Sequence, residues 1–542
     1  MSRGNIPPDV LFLIALELES NKDILNMLLM NREMHGYQQM ILFPRLTLNL
    51  NNNDIERLES FCNFIGDRFD KIQKLKVVVR HCPMIHRQEE PCTKQPNYDR
   101  GLWTKLGELL EKTSEMKYLA LRDSFCRHDS DCSNSQPFNI FATLHNGERL
   151  SDLLLKLWKT SNLSKVERLF LDYSGILLLR YEKPIGLCLT HLTLSLKLPK
   201  PPLKSFNPMT DLTAVSGTLQ QLTIWSEGGV EHMRLDDVSS VEFSDPVVYR
   251  SMRSLFIYSD LDPDQLLPAK MVRAYPELRR LHLGHLSDTP LAGFSDQEEY
   301  LATDMKEQEL TIWKHLDYLS AEGPCISLLG LKGTVGTVCM PVCERSVAQD
   351  VCEAIKTFSL HIKTNPETPA EHIPEPELAR FFRADKVRID IRSRIDEPNF
   401  SFGYKHARER LSKLAEGICQ TSITVLYIRY EFFHERGGKI DCSATCFCRS
   451  SNLSALAQLR EDVLCKLNFG SPVKHLFFEV KLTPRKMQPL KIFQDYYDFS
   501  TKVLRTVHGD WEQLWRSALG MKNCVCELQA EGIRGDSTHL CW

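Results

Sequence analysis

The sequence predicts an α/β protein: a three-helix module at the amino terminus, followed by an irregular leucine-rich-repeat-like α/β solenoid. Three observations predict it. The opening two helical segments are apolar nearly all the way round. A short Leu-x-Leu strand pattern recurs along most of the chain, and stretches with apolar residues at spacings of three and four precede several of those strands. Composition agrees with a folded chain of several domains or one long repeat array: 542 residues, 42% hydrophobic and 25% charged, with leucine at roughly one residue in seven. The net charge of −3, from 67 basic and 70 acidic residues, argues against a broad nucleic-acid surface.

The helical module comes first. Pro8 and Asp9 make a helix start, since proline at the first helical position gives up no useful donor. The helix runs on through Val10, Leu11, Phe12, Leu13, Ile14, Ala15 and Leu16. A second start follows at Ser20-Asn21-Lys22-Asp23, leading into Ile24, Leu25, Met27, Leu28, Leu29 and Met30. A third helix covers Glu33 to Leu42 and stops before Pro44. A lone surface helix shows a single apolar stripe. Three helices in about forty residues cannot hide so much apolar surface among themselves. Either the rest of the chain or another protein has to cover it.

These residues carry a resemblance. Ile6-Pro7-Pro8-Asp9-Val10-Leu11, then Ile14, Leu16 and Leu18, then Lys22-Asp23-Ile24-Leu25-Asn26, Met30-Asn31-Arg32, Tyr37 and Leu42-Phe43-Pro44-Arg45-Leu46 together resemble an F-box. More specifically, they resemble the F-box that opens many fungal proteins with leucine-rich-like repeats behind it. The resemblance covers roughly residues 4–48; Met34 and His35 stand where the family usually carries a larger aromatic residue. It implies a three-helix module that docks on a Skp-type adaptor, and through it on a cullin scaffold, in an SCF ubiquitin ligase. By position, the adaptor-binding residues it implies are Ile6, Pro7, Val10, Leu11, Ile14, Leu25 and Leu28.

Behind the module the expected strands are Leu46-Thr47-Leu48, Leu75-Lys76-Val77, Leu119-Ala120-Leu121, Leu169-Phe170-Leu171, Leu192-Thr193-Leu194, Leu222-Thr223-Ile224, Leu255-Phe256-Ile257 and Leu281-His282-Leu283. Weaker versions fall near Leu328 to Leu331, Phe358 to Leu360, Val387 to Ile389, Val425 to Tyr427 and Leu476 to Phe478. The spacings suit a solenoid but are irregular, with no fixed Asn or Cys position. Helical stripes precede three of the strands. They are Leu102, Leu106, Leu109 and Leu110; Leu150, Leu153, Leu154, Leu157 and Trp158; and Leu456, Leu459, Val463 and Leu467. Helix–strand alternation implies parallel strands joined by crossovers, and stacking in order implies a sheet on the inner face of the solenoid.

The predicted division is a module over 1–48, repeats over 49–364, a proline-rich hinge or insertion over 365–376, and further repeats with a C-terminal capping helix over 377–542. The helix is expected over Asp495 to Gly520, where Phe499, Val503, Val507, Trp511 and Trp515 recur at spacing four. His81 to Tyr98, His128 to Gln136 and the proline-rich Leu198 to Asp211 read as exposed insertions.

Catalytic and cofactor motifs are not found. The sequence has neither of the glycine-rich phosphate loops, nor G-x-S-x-G, nor H-E-x-x-H. His434 with Cys442, Cys446 and Cys448, the loop set Cys126, His128, Asp131 and Cys132, and Cys524, Cys526 and Cys541 are the clusters that carry metal-ligand side chains. Cys446-x-Cys448 is strand spacing, which places both thiols on one face, and no metal site or cofactor is expected. No run approaches the ~20 apolar residues of a spanning helix. The apolar stretch Val10 to Leu16 also lacks the flanks of a signal peptide. The expectation is a cytoplasmic or nuclear, non-catalytic substrate receptor of an SCF-type ubiquitin ligase, binding a Skp-type adaptor and an unknown target protein, without nucleic acid or membrane partners. A non-ligase interaction scaffold is the alternative.

Overall fold

The computed structural model describes residues 45–51, 55–65, 72–80, 165–172, 188–196, 206–226, 247–259, 268–284, 356–363, 384–395, 400–434, 450–468, 471–484 and 490–506, with parts of 105–124 and 313–341. Residues 1–44 of the predicted F-box module, with the adaptor-binding residues Ile6 to Leu28, and the hinge over 365–376 lie outside the described residues, as do the insertions over 81–98 and 128–136; residues 45–48 of that module are described and begin the first strand. The chain divides into two compact units, Met1–Leu278 and Arg279–Trp542. Both are built on largely parallel sheet, and helices are few among the described residues. None of those helices is long and apolar enough to cross a membrane.

The first unit holds β1 (Arg45–Asn51), β2 (Lys74–Arg80), β3 (Tyr118–Ser124), β4 (Arg168–Asp172), β5 (His191–Leu196), β6 (Gln221–Ser226) and β7 (Ser254–Tyr258). Each strand pairs in parallel with the next in sequence. The register explains the recurring pattern. Leu46, Leu75, Leu119, Leu169, Leu192, Leu222 and Leu255 form one lateral row, and Leu48, Val77, Leu121, Leu171, Leu194, Ile224 and Ile257 form a second. Residues two apart on a strand face the same side, so the rows lie next to each other, and most of their members are fully buried. Each such side chain contributes ~1.5–3 kcal/mol relative to exposure.

A third row completes the repeat. Ile72, Met116, Val166, Leu189, Leu219 and Met252 sit three residues before the first leucine of their strands, and all are buried. A hydrogen-bond motif accompanies it. The Gln73 carbonyl accepts from both Lys117 and Tyr118 N–H, at 2.8 and 3.0 Å. The Lys117 carbonyl does the same for Glu167 and Arg168, Glu167 for Thr190 and His191, Thr190 for Gln220 and Gln221, and Gln220 for Arg253 and Ser254. One oxygen with two lone pairs thus anchors the start of each following strand.

Helix α1 (Ile55–Ile65) buries Leu58, and α2 (Pro268–Ala274) buries Met271, Val272 and Ala274. The stripe read before β3 is present: Leu106, Leu109 and Leu110 are helical and buried. The stripe from Leu150 to Trp158 lies outside the described residues.

The expected exposed insertion over Leu198 to Asp211 is corrected at its described end. Phe206, Asn207 and Met209 are buried. Asn207 Oδ1 accepts the Met209 N–H at 2.9 Å, while Asp211 Oδ2 accepts the Asn207 N–H at 2.8 Å. The turn is pinned from outside by the buried Tyr275 hydroxyl, which donates to the Pro208 carbonyl at 3.0 Å. Proline richness points to an exposed insertion, but apolar Phe206 and Met209 carry this end into the core.

The second unit holds β8 (Arg280–Leu283), β9 (His315–Ser320), β10 (Thr334–Pro341), β11 (Lys356–Lys363), β12 (Lys386–Ile395), β13 (Val425–His434) and β14 (His475–Pro484), all parallel in sequence order. Then β15 (Leu490–Asp498) and β16 (Val503–Thr506) run antiparallel, with a register shift between Val480 and Lys481. The double-acceptor carbonyl recurs at Arg279, Asp385 and Thr424. Helices α3 (Phe400–Ile418) and α4 (Ser450–Asn468) pack together, and α3 packs against β12. They bury Ala407, Leu411, Leu414, Ala415 and Ile418 from α3, and Leu459, Val463, Leu464 and Leu467 from α4. Arg408 Nε reaches Asp462 Oδ2 at 2.7 Å between them, and Lys466 pairs with Glu416.

One strand expectation is corrected here. The weak pattern near Leu328 to Leu331 is not strand where described: Cys325 and Ile326 are helical, and the Leu329 N–H donates to the Cys325 carbonyl at 3.0 Å. The strands lie on either side, as β9 and β10. The β9–β10 ladder skips Asp317 and Gly336, the β10–β11 ladder skips Gly336 and Phe358, and the buried apolar positions of β9 and β10 include Leu316 and Leu319, Val335 and Val338. Gly336 is required there, because a Cβ would stand 2.7 Å from the Asp317 carbonyl oxygen.

The helix expected from Asp495 is also corrected as far as Thr506. Residues 495–498 end β15 and 503–506 form β16. Asp498 Oδ1 accepts the Ser500 N–H at 2.9 Å, and Lys502 adopts φ 55°, which makes a turn and not a helix. The remainder of the expected cap, including Trp511 and Trp515, lies outside the described residues.

Candidate functional site

The parity of the second sheet separates two chemistries. On β13, Leu426, Ile428, Tyr430 and Phe432 point one way and are fully buried, whereas Tyr427, Arg429 and Glu431 point the other way. Register carries that second face sideways. Cys339 of β10 lies beside His361 of β11, His361 beside Arg388 of β12, Arg388 beside Tyr427 of β13, and Tyr427 beside Phe477 of β14. One rung further along are Asp390, Arg429, Glu479 and, on β15, Gln494.

These side chains form a connected polar network. Cys339 Sγ lies 3.5 Å from His361 Nδ1, and His361 Nε2 lies 3.1 Å from Asp390 Oδ2. Arg388 donates through Nε to Asp390 Oδ1 at 2.9 Å and through a terminal nitrogen to Oδ2 at 3.1 Å, a two-pronged bond. Arg429 stands 3.7 Å from Asp390 and donates through Nε to Glu479 Oε2 at 2.7 Å. The same Glu479 oxygen accepts from the Tyr427 hydroxyl. Its other oxygen accepts from Gln494 at 2.5 Å and from Lys481 at 3.3 Å. The Arg388 guanidinium lies 4.7 Å above the Tyr427 ring, a cation–π contact. Phe477 and Tyr496 continue the aromatic row at 4.9 Å, and Tyr496 meets His475 Nδ1 at 2.9 Å.

Burial sets the electrostatics. Glu479 is 0% exposed. Burial alone would raise its carboxyl, but Arg429, Lys481 and the hydrogen bonds outweigh that and pull it down to about 2. Asp390 behaves alike: against burial, Arg388, Arg429 and His361 hold it well below the usual carboxylate range. For His361, burial favours the neutral ring, yet Cys339 and Asp390 raise its pKa above the ordinary value. Burial and the Arg429 charge push Lys481 down. Such a network holds paired charges in fixed positions; it can present charge to a partner or activate a thiol.

In the first unit the comparable face carries aromatic residues. Trp225 and Tyr258, register partners on β6 and β7, stack at 3.8 Å with planes 6° apart.

None of the site residues expected from the sequence enters either cluster, since Ile6, Pro7, Val10, Leu11, Ile14, Leu25 and Leu28 lie outside the described residues. Of the three cysteine-containing clusters with metal-ligand side chains, only His434, the last residue of β13, is described. Among the described residues no group of three His, Cys, Asp or Glu side chains is arranged to hold a metal ion. The network itself left no motif in the sequence, because each strand contributes one or two members separated by a full repeat.

No known protein family matches this chain, and no curated protein matches it.

Proposed function

We propose that this chain is the substrate-recognition subunit of an SCF-type ubiquitin ligase. The reading rests on one observation: residues 4–48 resemble an F-box and run directly into β1 and the parallel strands that follow it. In this reading the helical module takes a Skp-type adaptor, and the adaptor takes the cullin. The repeats, wound as a solenoid with the sheet inside, hold a target protein. The chain does no chemistry; it raises the effective concentration of target lysines near the charged conjugating enzyme. Ile6, Pro7, Val10, Leu11, Ile14, Leu25 and Leu28 supply the apolar contacts to the adaptor.

The test is co-purification of the full chain with a Skp-type adaptor. The wild-type chain is expected to retain the adaptor, and Ile14→Asp to lose it, because docking would bury an unpaired carboxylate. Removing residues 1–45 should release the adaptor and leave target proteins bound. Adaptor retention by Ile14→Asp, or no retention by the wild-type chain, overturns the reading.

A further inference from the structure

The thiol, imidazole and carboxylate of Cys339, His361 and Asp390 stand in line across three adjacent strands, with gaps of 3.5 and 3.1 Å. Both imidazole nitrogens are engaged, one toward sulfur and one toward carboxylate. A histidine so placed can take the thiol proton at Nδ1 while Asp390 steadies the resulting imidazolium through Nε2. Against burial, charge on the imidazole is favoured by the sulfur and by Asp390 and opposed by Arg388, whose guanidinium Asp390 itself binds. On the other side of Cys339, its register partner is the buried, uncharged Ser320, and beyond that stands His282 of β8. No carboxylate borders Cys339 among its described register neighbours.

We infer that Cys339 is a thiolate paired with His361 and is a site of reversible oxidation by hydrogen peroxide. The sulfur attacks one peroxide oxygen, the S–O bond forms as the O–O bond breaks, and sulfur is oxidised by two electrons while peroxide is reduced. The hydroxide that leaves takes the His361 imidazolium proton and departs as water. The product is a sulfenic acid at Cys339. Cys339 is buried, so a reagent little larger than water, reaching it through local opening of the sheet, is the oxidant that fits. The inference is independent of the ligase reading.

The experiment exposes the folded full chain to hydrogen peroxide for timed intervals, removes the peroxide, unfolds the chain in dimedone so that every sulfenic acid is trapped, and quantifies each cysteine peptide by mass spectrometry. Cys188 and Cys465, both exposed, serve as internal references. Cys339 is expected to be trapped at least about tenfold faster than either at neutral pH, as thiolate content governs reactivity. His361→Gln should remove that advantage and leave the two reference rates unchanged. A second measurement needs no change at His361: the ultraviolet thiolate absorbance of the wild-type chain minus that of Cys339→Ser. It should persist below pH ~8.5, where an ordinary thiol has become protonated. Slower trapping at Cys339 than at the exposed thiols, an unchanged rate in a folded His361→Gln, or no thiolate absorbance from Cys339 below that pH overturns the inference.

Discussion

Glu479→Gln is the most searching perturbation of the polar network. The carboxyl ionises near 2 in the folded protein and near 4.5 when solvated. A folded-state value depressed in this way contributes stability that is fully present above about pH 4.5. That stability is lost as pH falls from 4.5 toward 2, and it amounts to about 3 kcal/mol. The amide keeps the size of the side chain but removes the charge that Arg429 and Lys481 face, leaving buried cations short of a partner. Breaking such a buried arrangement costs about 3–5 kcal/mol. Native-state hydrogen exchange across β13, β14 and β15 reads the local opening energy directly, without assuming that the whole chain melts in one step. The variant should open more easily by that amount at neutral pH. Between pH 4.5 and 2 its loss of protection should be shallower than that of the wild type. A wild-type acid slope retained in the variant, or a neutral-pH loss below about 1 kcal/mol, would refute the electrostatic account of this site.

Other outcomes follow from packing. Gly336→Ala should destabilise the second unit by about 1–3 kcal/mol, through the clash with the Asp317 carbonyl, as a fall in thermal midpoint. Leu222→Ala, in the first leucine row, should cost about 2–5 kcal/mol in urea unfolding of the first unit. A double-mutant cycle on Arg408 and Asp462, a largely exposed pair linking α3 to α4, should return a coupling below about 1 kcal/mol that fades with salt.

The sequence made most of the strands readable because the parallel ladder keeps two apolar positions in register from one repeat to the next. Leu75 with Val77, Leu192 with Leu194, and Leu476 with Phe478 all announce themselves as alternation, whereas on β13 the pattern read at Val425 and Tyr427 is one residue off the buried pair Leu426 and Ile428. The buried residue three positions earlier, such as Met116, Leu219 or Ile423, turns each pair into a longer and stronger motif. The strands β9 and β10 were hidden because alternation breaks at Asp317 and Gly336, so that Leu316 and Leu319 take a spacing that imitates a helix. In β15 the buried residues include Gln494 and Asp495, whose burial is supported by Glu479 and Arg460. A hydropathy pattern cannot register polar groups that are inside because their partners are inside too. The same reason hides the network of His361, Asp390, Arg429 and Glu479, whose members meet only through the register of the sheet.

The doubly accepting carbonyl found at many of the strand starts bears on how such a chain can change over time. The bond joins only the first residues of neighbouring strands and places no demand on what lies between. The span from Glu167 to Thr190 is short and that from Lys117 to Glu167 is long, yet both close on the same pair of hydrogen bonds. Connections can therefore lengthen, shorten or diverge while the ladder stays aligned, leaving the stretches between strands open to acquire new recognition properties without renegotiating the scaffold.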